Sequence, residues 1–173
     1  MPNNKQIHNY NIKFGIYLGV FWIIYFSIFQ SIQVFSLYPI ISLVIGLLIQ
    51  TVIITYCILN YKQYHNNILQ LNKALKTGMI ISVTGGIILA IYHFLLLNIF
   101  QYDLSSKITL IYENWILKNR PNLSAKELYD KIRLFQKYNT EKNITIISFL
   151  WVVFFGFFIS ILSGSILHKK VQP

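Results

Sequence analysis

Three stretches of this chain carry no Asp, Glu, Lys or Arg: Phe14–Tyr61, Thr77–Tyr102 and Asn143–His168. A charge at the centre of a bilayer costs several kcal/mol, so runs of this length mark membrane spans. One span needs about 20 apolar residues, and the second and third stretches each fit a single helix. The first is too long for one. As a single helix it would measure roughly 70 Å, so it must fold back on itself. The polar interruption Gln30, Ser31, Gln33 and Ser36, followed by Pro39, places the turn there. Proline is tolerated at the first position of a helix, where its missing N–H is no loss. The pattern therefore predicts an all-α integral membrane four-helix bundle. The expected spans are 14–33, 38–60, 78–101 and 144–167, within one membrane domain over 1–173. Lys5 and Lys13 give the first span a basic front, but its apolar stretch is long and bulky residues replace a small-residue cleavage site. It is expected to stay as an anchor.

Composition agrees with this and excludes other classes. Hydrophobic residues make up 55% of the chain and charged residues 12%, about half the share of a soluble domain. The chain is rich in Ile, Leu, Val and Phe, which excludes disorder. The net charge of +10 raises nucleic acid as a partner, but no soluble framework carries it, and none is expected. Divided by segment, the charge reads as orientation. Lys5 and Lys13, then Lys62, Lys73 and Lys76, then Lys169 and Lys170 occupy three segments without acids. All three fall on one side if both termini face the cytoplasm, as the positive-inside rule favours. The segment 102–143 is then outside, although it holds eight basic residues and all five acids. Long segments translocate with less regard to charge, and the first hairpin, whose turn is uncharged, dominates insertion. Lys62, Lys73, Lys76, Lys169 and Lys170 are expected at inner headgroups, with anionic lipid as partner.

The segment 60–77 is expected to form a basic amphipathic helix, lying in the headgroup layer or extending a span. Tyr61, Tyr64, Ile68, Leu71 and Leu75 would share one face. The segment 102–143 divides at Asn119-Arg120-Pro121-Asn122 into two short helices. Leu104, Ile108, Ile111, Tyr112 and Trp115 make a stripe on the first. Ser124-Ala-Lys-Glu127 has the form of a capping box at the start of the second, where Leu128, Ile132 and Phe135 share a face. The two helices are expected to lie on the membrane or cap the bundle, packing on the protein's own spans.

Within the spans, small residues recur every four positions: Gly78, Ser82, Gly86 and Ala90 on span three, Gly156, Ser160 and Gly164 on span four. Shorter pairs are Gly15 with Gly19 and Ser42 with Gly46. Small residues at this spacing let membrane helices approach closely, within one bundle or between copies and membrane-protein partners. His93, Gln50 and Asn98 form a candidate intramembrane polar site. Of these only His93 titrates near neutrality. A metal site needs several converging ligands, and the other histidines, His8, His65 and His168, belong to the inner face. The lone Cys57 offers no paired-thiol motif. No hydrolase, metalloprotease, phosphate-loop or dinucleotide motif is present, so no catalytic residue and no cofactor are assigned.

The arrangement as a whole resembles a known family. Its parts are a tight first hairpin, a Tyr-rich basic segment entering span three through Ala74-Leu-Lys-Thr-Gly78, and a long outer segment with Leu123-Ser124-x-x-Glu127. A span containing Gly156 closes it, ending in Ser163-Gly164-Ser-Ile-Leu-His-Lys169-Lys170. The chain is similar to the small four-span bacterial membrane proteins of the domain of unknown function 4199 family. That family often has an acidic, Pro-containing stretch after span three, where this chain has Gln101-Tyr102-Asp103-Leu104. The resemblance implies a fold and a location, not a reaction. The function expected is that of a non-enzymatic accessory or structural component of the bacterial inner membrane. A small oligomeric transporter or channel, and a membrane enzyme acting on lipid or quinone, are the alternatives.

Overall fold

The computed structural model describes residues 4–31, 39–65, 68–98 and 104–168. Its six elements are all α-helices: α1 (Asn4–Ser31), α2 (Pro39–Tyr64), α3 (Leu71–Asn98), α4 (Leu104–Asn119), α5 (Ala125–Tyr138) and α6 (Glu141–Leu167). Four of them, α1, α2, α3 and α6, are long and apolar enough to cross a membrane. Pro39 opens α2 as its first residue, the position where proline fits a helix without loss. The helix starts of α1 and α3 lie further upstream than the hydropathy boundaries suggest. α1 begins at Asn4 rather than near residue 14, and α3 at Leu71 rather than Gly78. Nothing upstream breaks either helix, because the first glycine of α1 is Gly15 and no proline precedes Gly78 in α3. The bilayer limits the apolar part of a helix, not the helix itself. The first interhelical turn, with Gln33 and Ser36, and the stretch 101–103 lie outside the described residues, as do Lys169 and Lys170.

The chain divides into two compact units, one of residues 1–89 with 149–173 and one of residues 90–148. In the first unit the four long helices alternate in direction. Asn60 near the end of α2 donates through Nδ2 to the Tyr10 hydroxyl at the start of α1 (2.9 Å). Asn11 donates to the Thr77 hydroxyl at the start of α3 (3.5 Å). His168, just past α6, donates through Nδ1 to the Leu69 carbonyl before α3 (2.8 Å). These bonds gather both ends of the inter-span segment 60–77 with the start of α1 and the end of α6.

Leu18, Ile54, Ile58 and Ile81 are among the buried apolar residues of this unit, but polar side chains share the interior and large apolar ones stand outside. Asn11, Gln50, Thr77, Ser82, Ser160 and Ser163 are buried, while Tyr17, Leu48, Val52, Leu162 and Ile166 are exposed. An apolar surface over polar contacts is what a lipid solvent selects, since every polar group must find its partner inside the protein.

The second unit is built on a helical hairpin. α4 and α5 run antiparallel, with Tyr112 and Phe135 stacked at 4.1 Å. Asn139 Nδ2 donates to the Ser105 carbonyl (3.0 Å), and the Ser105 hydroxyl donates back to the Asn139 carbonyl. Leu97, Thr109, Ile116 and Ile144 are buried there, drawing on the end of α3 and the start of α6. The capping box forms as the sequence predicts. The Ser124 hydroxyl accepts from the Glu127 N–H, and the Glu127 carboxylate accepts from the Ser124 N–H at 2.9 Å. The Ser124 N–H, and then the Ser124 hydroxyl donating to the same carboxylate at 2.8 Å, hold the Glu127 carboxyl below its usual range.

Two expectations are corrected. Segment 60–77 is not one amphipathic helix: it ends α2 at Tyr64, turns, and resumes as α3 at Leu71, so only the span-extending form holds. His65 closes α2 by donating from Nδ1 to the Tyr61 carbonyl (2.9 Å), its ring stacked on Tyr61. The turn rotates the face, so that Leu69 and Ala74 are buried whereas Tyr64, Ile68 and Leu71 are exposed. The stripe on α4 is also displaced. Thr109 and Ile116 face the core, and Trp115 is 55% exposed. A hydropathy stripe finds the most apolar side of a helix, but here the hairpin partner packs beside it.

Candidate functional site

The best-organised feature of the first unit is the line along which α3 and α6 meet. A methyl group added at Gly78 would overlap the Ser160 hydroxyl, and one added at Gly156 would overlap the Ser82 hydroxyl. At these two positions a glycine of one helix receives a serine of the other. At one end Gly164 sits against Ala74 and Leu71. At the other, Gly86 sits against Phe149. Each step of four forward along α3 is matched by about a step of four back along α6, which is an antiparallel register of small residues. Close approach brings backbone against backbone, where dispersion contacts and not the hydrophobic effect hold membrane helices together.

The serines do not leave their hydroxyls unsatisfied in this seam. Ser82 donates to the Gly78 carbonyl one turn back (2.8 Å), and Ser160 to the Gly156 carbonyl. Such back-bonding satisfies a hydroxyl within its own helix and leaves the outer side of the residue slim.

α2 closes over the seam. Gln50, fully buried, donates through Nε2 to the Val152 carbonyl of α6 (2.9 Å). Its Oε1 has no hydrogen-bond partner among the described residues. Thr55 and Ser163 share a hydroxyl–hydroxyl bond of 2.7 Å between the same two helices. α1 packs with its own glycines: Gly15 lies against Thr84, Gly19 against Ile88 and, from α2, Gly46 against the Trp22 ring. The side chain of Ser42 lies outside what the structure describes. Sequence pattern does not single out two residues of this polar network. Asn11 accepts from Cys57 Sγ (3.8 Å) besides donating to Thr77, and Asn60 binds Tyr10. Both asparagines lie near the margins of the charge-free run, where polarity passes for an aqueous boundary.

Gln50 belongs to the first unit and His93 and Asn98 to the second. His93 is buried, with its ring 5.7 Å from that of Tyr92. Asn98 is exposed and turned back onto the Phe94 carbonyl of its own helix (2.9 Å). Ala90, the last of the small residues on span three, also falls in the second unit. Among the described residues no three His, Cys, Asp or Glu side chains converge on a common point. Lys73 and Lys76 are exposed and Lys62 half-buried, around the turn that carries His65 and Leu69. The site consists of interlocked helices with the buried Gln50 amide across them, and of Lys62, Lys73 and Lys76 around the turn between α2 and α3.

No curated protein and no solved structure matches this chain. The model of one family does, over residues 13–169, a span that takes in all four long apolar helices and the hairpin between the last two. The chain belongs to that family, described as protein of unknown function (DUF4199).

Proposed function

We propose that this multi-pass membrane protein is a non-enzymatic accessory or structural component of the bacterial cytoplasmic membrane, acting through contacts within the bilayer and at its inner surface. The observation that carries this reading is the use made of polarity inside the four-helix unit. Gln50 is committed to the Val152 backbone, and Ser82 and Ser160 to their own helices. Glycine–serine contacts occupy the space between α3 and α6. Polarity here serves assembly of the bundle.

In this reading both termini face the cytoplasm. The rim of Lys62, Lys73 and Lys76, with Lys169 and Lys170 beyond α6, meets anionic headgroups. Each lysine near such a surface adds about 1 kcal/mol of attraction. Reporter fusions at Asn72 and Asn119 test the orientation and are expected on opposite sides, with Asn119 outside. Crosslinked copurification from native membranes tests the role and is expected to capture a stoichiometric membrane-protein partner or a second copy. Solute flux through the purified protein in vesicles, abolished by Gln50→Leu with folding intact, would replace this reading with the transporter one.

A further inference from the structure

The hairpin of the second unit carries an apolar face that its own core does not use. On α4, Ile108 and Ile111 are half-buried and Trp115 is 55% exposed. The three recur at three- and four-residue spacing, which makes one row on the helix. On α5, Leu134 and Tyr138 are 61% and 62% exposed and stand one turn apart. The pairing of the helices sets these rows relative to each other. α4 faces α5 through Tyr112 and Ser105, and α5 faces α4 through Phe135 and Asn139. For two right-handed antiparallel helices in that register, the row 108/111/115 and the row 134/138 come out on the same side of the hairpin. That side is edged by lysines: Lys107 lies one position off the α4 row, Lys118 continues that row, and Lys131 continues the α5 row. Of the acids on or beside it, Glu127 is engaged with Ser124 and Asp130 stands exposed next to Lys131. The opposite side also exposes apolar residues, Leu110 and Leu117 of α4 and Tyr129 of α5, but they stand among Glu113, Ser106 and Gln136, so the lysines rather than the apolar area distinguish the two sides.

The chain fixes where such a face can go. α5 is joined to α6 by two residues, and five residues separate α3 from α4. Five residues reach at most about 18 Å. Both α3 and α6 are candidate spans, so the hairpin stays at the surface of the bilayer that holds them. Trp and Tyr are enriched at headgroup level, where an apolar body and a polar tip each find their solvent. Lysines beside them bury their stems and reach anionic phosphate.

We propose that the side of the α4–α5 hairpin bearing Ile108, Ile111, Trp115, Leu134 and Tyr138 is an interfacial docking surface for anionic lipid, with Lys107, Lys118 and Lys131 as its headgroup contacts. This surface is separate from the seam of the four-helix unit and stands whether that unit is a scaffold or a transporter.

The test uses the full chain in nanodiscs of phosphatidylethanolamine and phosphatidylglycerol. Single cysteines are placed by Trp115→Cys, Leu134→Cys, Gln136→Cys and Lys126→Cys in a Cys57→Ala background and labelled with a nitroxide. Labels at 115 and 134 are expected to collide several-fold more with lipid-dissolved oxygen, and several-fold less with a water-soluble nickel chelate, than labels at 126 and 136. Equal exposure of all four to the chelate overturns the proposal. So does shielding of 115 and 134 from both reagents, which would mean that protein, such as a second copy, covers the face. Should the Cys57→Ala background not fold, the wild-type chain serves. Lipids brominated near the headgroup are expected to quench tryptophan emission more in wild type than in Trp115→Phe, and equal quenching overturns the proposal. Replacing phosphatidylglycerol by phosphatidylcholine is expected to reduce that difference, and no reduction overturns the assignment of the lysines.

Discussion

The two units of this protein solve opposite packing problems with the same secondary structure. In the unit of α1, α2, most of α3 and most of α6, Asn11, Gln50, Ser82, Ser160 and Ser163 share the interior with residues such as Leu18, Ile54 and Ile81, and much of the exterior is apolar. In the hairpin unit, α5 has no buried residue at all and wears charge along much of its surface. Small residues and hydrogen bonds hold the first together. A stacked ring pair, a side-chain clamp and a helix cap hold the second. The difference follows from the solvent each meets. Lipid gives apolar side chains no reason to leave it, so contact must come from close approach and shared hydrogen bonds. Water and headgroups supply partners to polar groups, so helix ends there can be finished by side chains such as Ser124.

The sharpest way to break this comparison is to add volume on either side of it. Gly78→Leu or Gly156→Leu places atoms where Ser160 or Ser82 already stands. Overpacking of this kind costs about 1–3 kcal/mol or more, and a marked drop in unfolding temperature in detergent is expected. Ala125→Leu, at an exposed position of α5, is expected to leave that temperature unchanged. Equal effects would mean that the α3–α6 seam is no tighter than the hairpin surface.

A smaller effect is expected from the cap. Ser124→Ala removes the hydroxyl that receives the Glu127 N–H and should cost about 1 kcal/mol. It should appear as faster hydrogen exchange at the first turn of α5, with the four-helix unit undisturbed. Gln50→Leu should cost less, under about 1 kcal/mol, because interhelical hydrogen bonds in membranes average about 0.6 kcal/mol. The substitution also removes an Oε1 that has no partner among the described residues. A loss well above that bound in a detergent unfolding series would show that the amide carries more of the bundle than its one bond suggests.

The smallest effect is a pH dependence confined to the hairpin. The Ser124 backbone N–H, and then its hydroxyl, hold the folded Glu127 carboxyl below its usual value. A carboxyl lowered by folding contributes stability above its unfolded value and loses it as pH falls through the folded one. Protection of residues 125–128, taken relative to the intrinsic exchange rate at each pH, should therefore fall with acidification below the ordinary glutamate range, and Glu127→Gln should remove that dependence. An unchanged acid response in Glu127→Gln would assign it to another group.

Much of the fold is legible in the amino-acid sequence. The charge-free runs mark four spans, Pro39 marks the start of α2, and Ser124-x-x-Glu127 marks the start of α5. Each is a local rule, tied to what one helix or one turn requires. Sequence pattern misleads where a neighbour decides. Leu71 and Leu75 match a face that the turn at His65 rotates away, and Trp115 stays exposed although Tyr112 of the same stripe stacks on Phe135. Asn11 and Asn60 read as edge polarity along the chain, yet Thr77, Cys57 and Tyr10 stand opposite them in the fold.

The sequence by itself determined the solvent of this protein, the number of its spans and the starts of α2 and α5, because hydration of charge and backbone capping act over a few residues. It also carried the four-residue repeat of small side chains on α3 and α6. Only the tertiary structure decided that Gly78 meets Ser160 and Ser82 meets Gly156, that Gln50 spends its amide on Val152, and that Tyr112 stacks on Phe135. Register between helices depends on the shapes of both partners at once, and a periodicity along one helix does not contain the other.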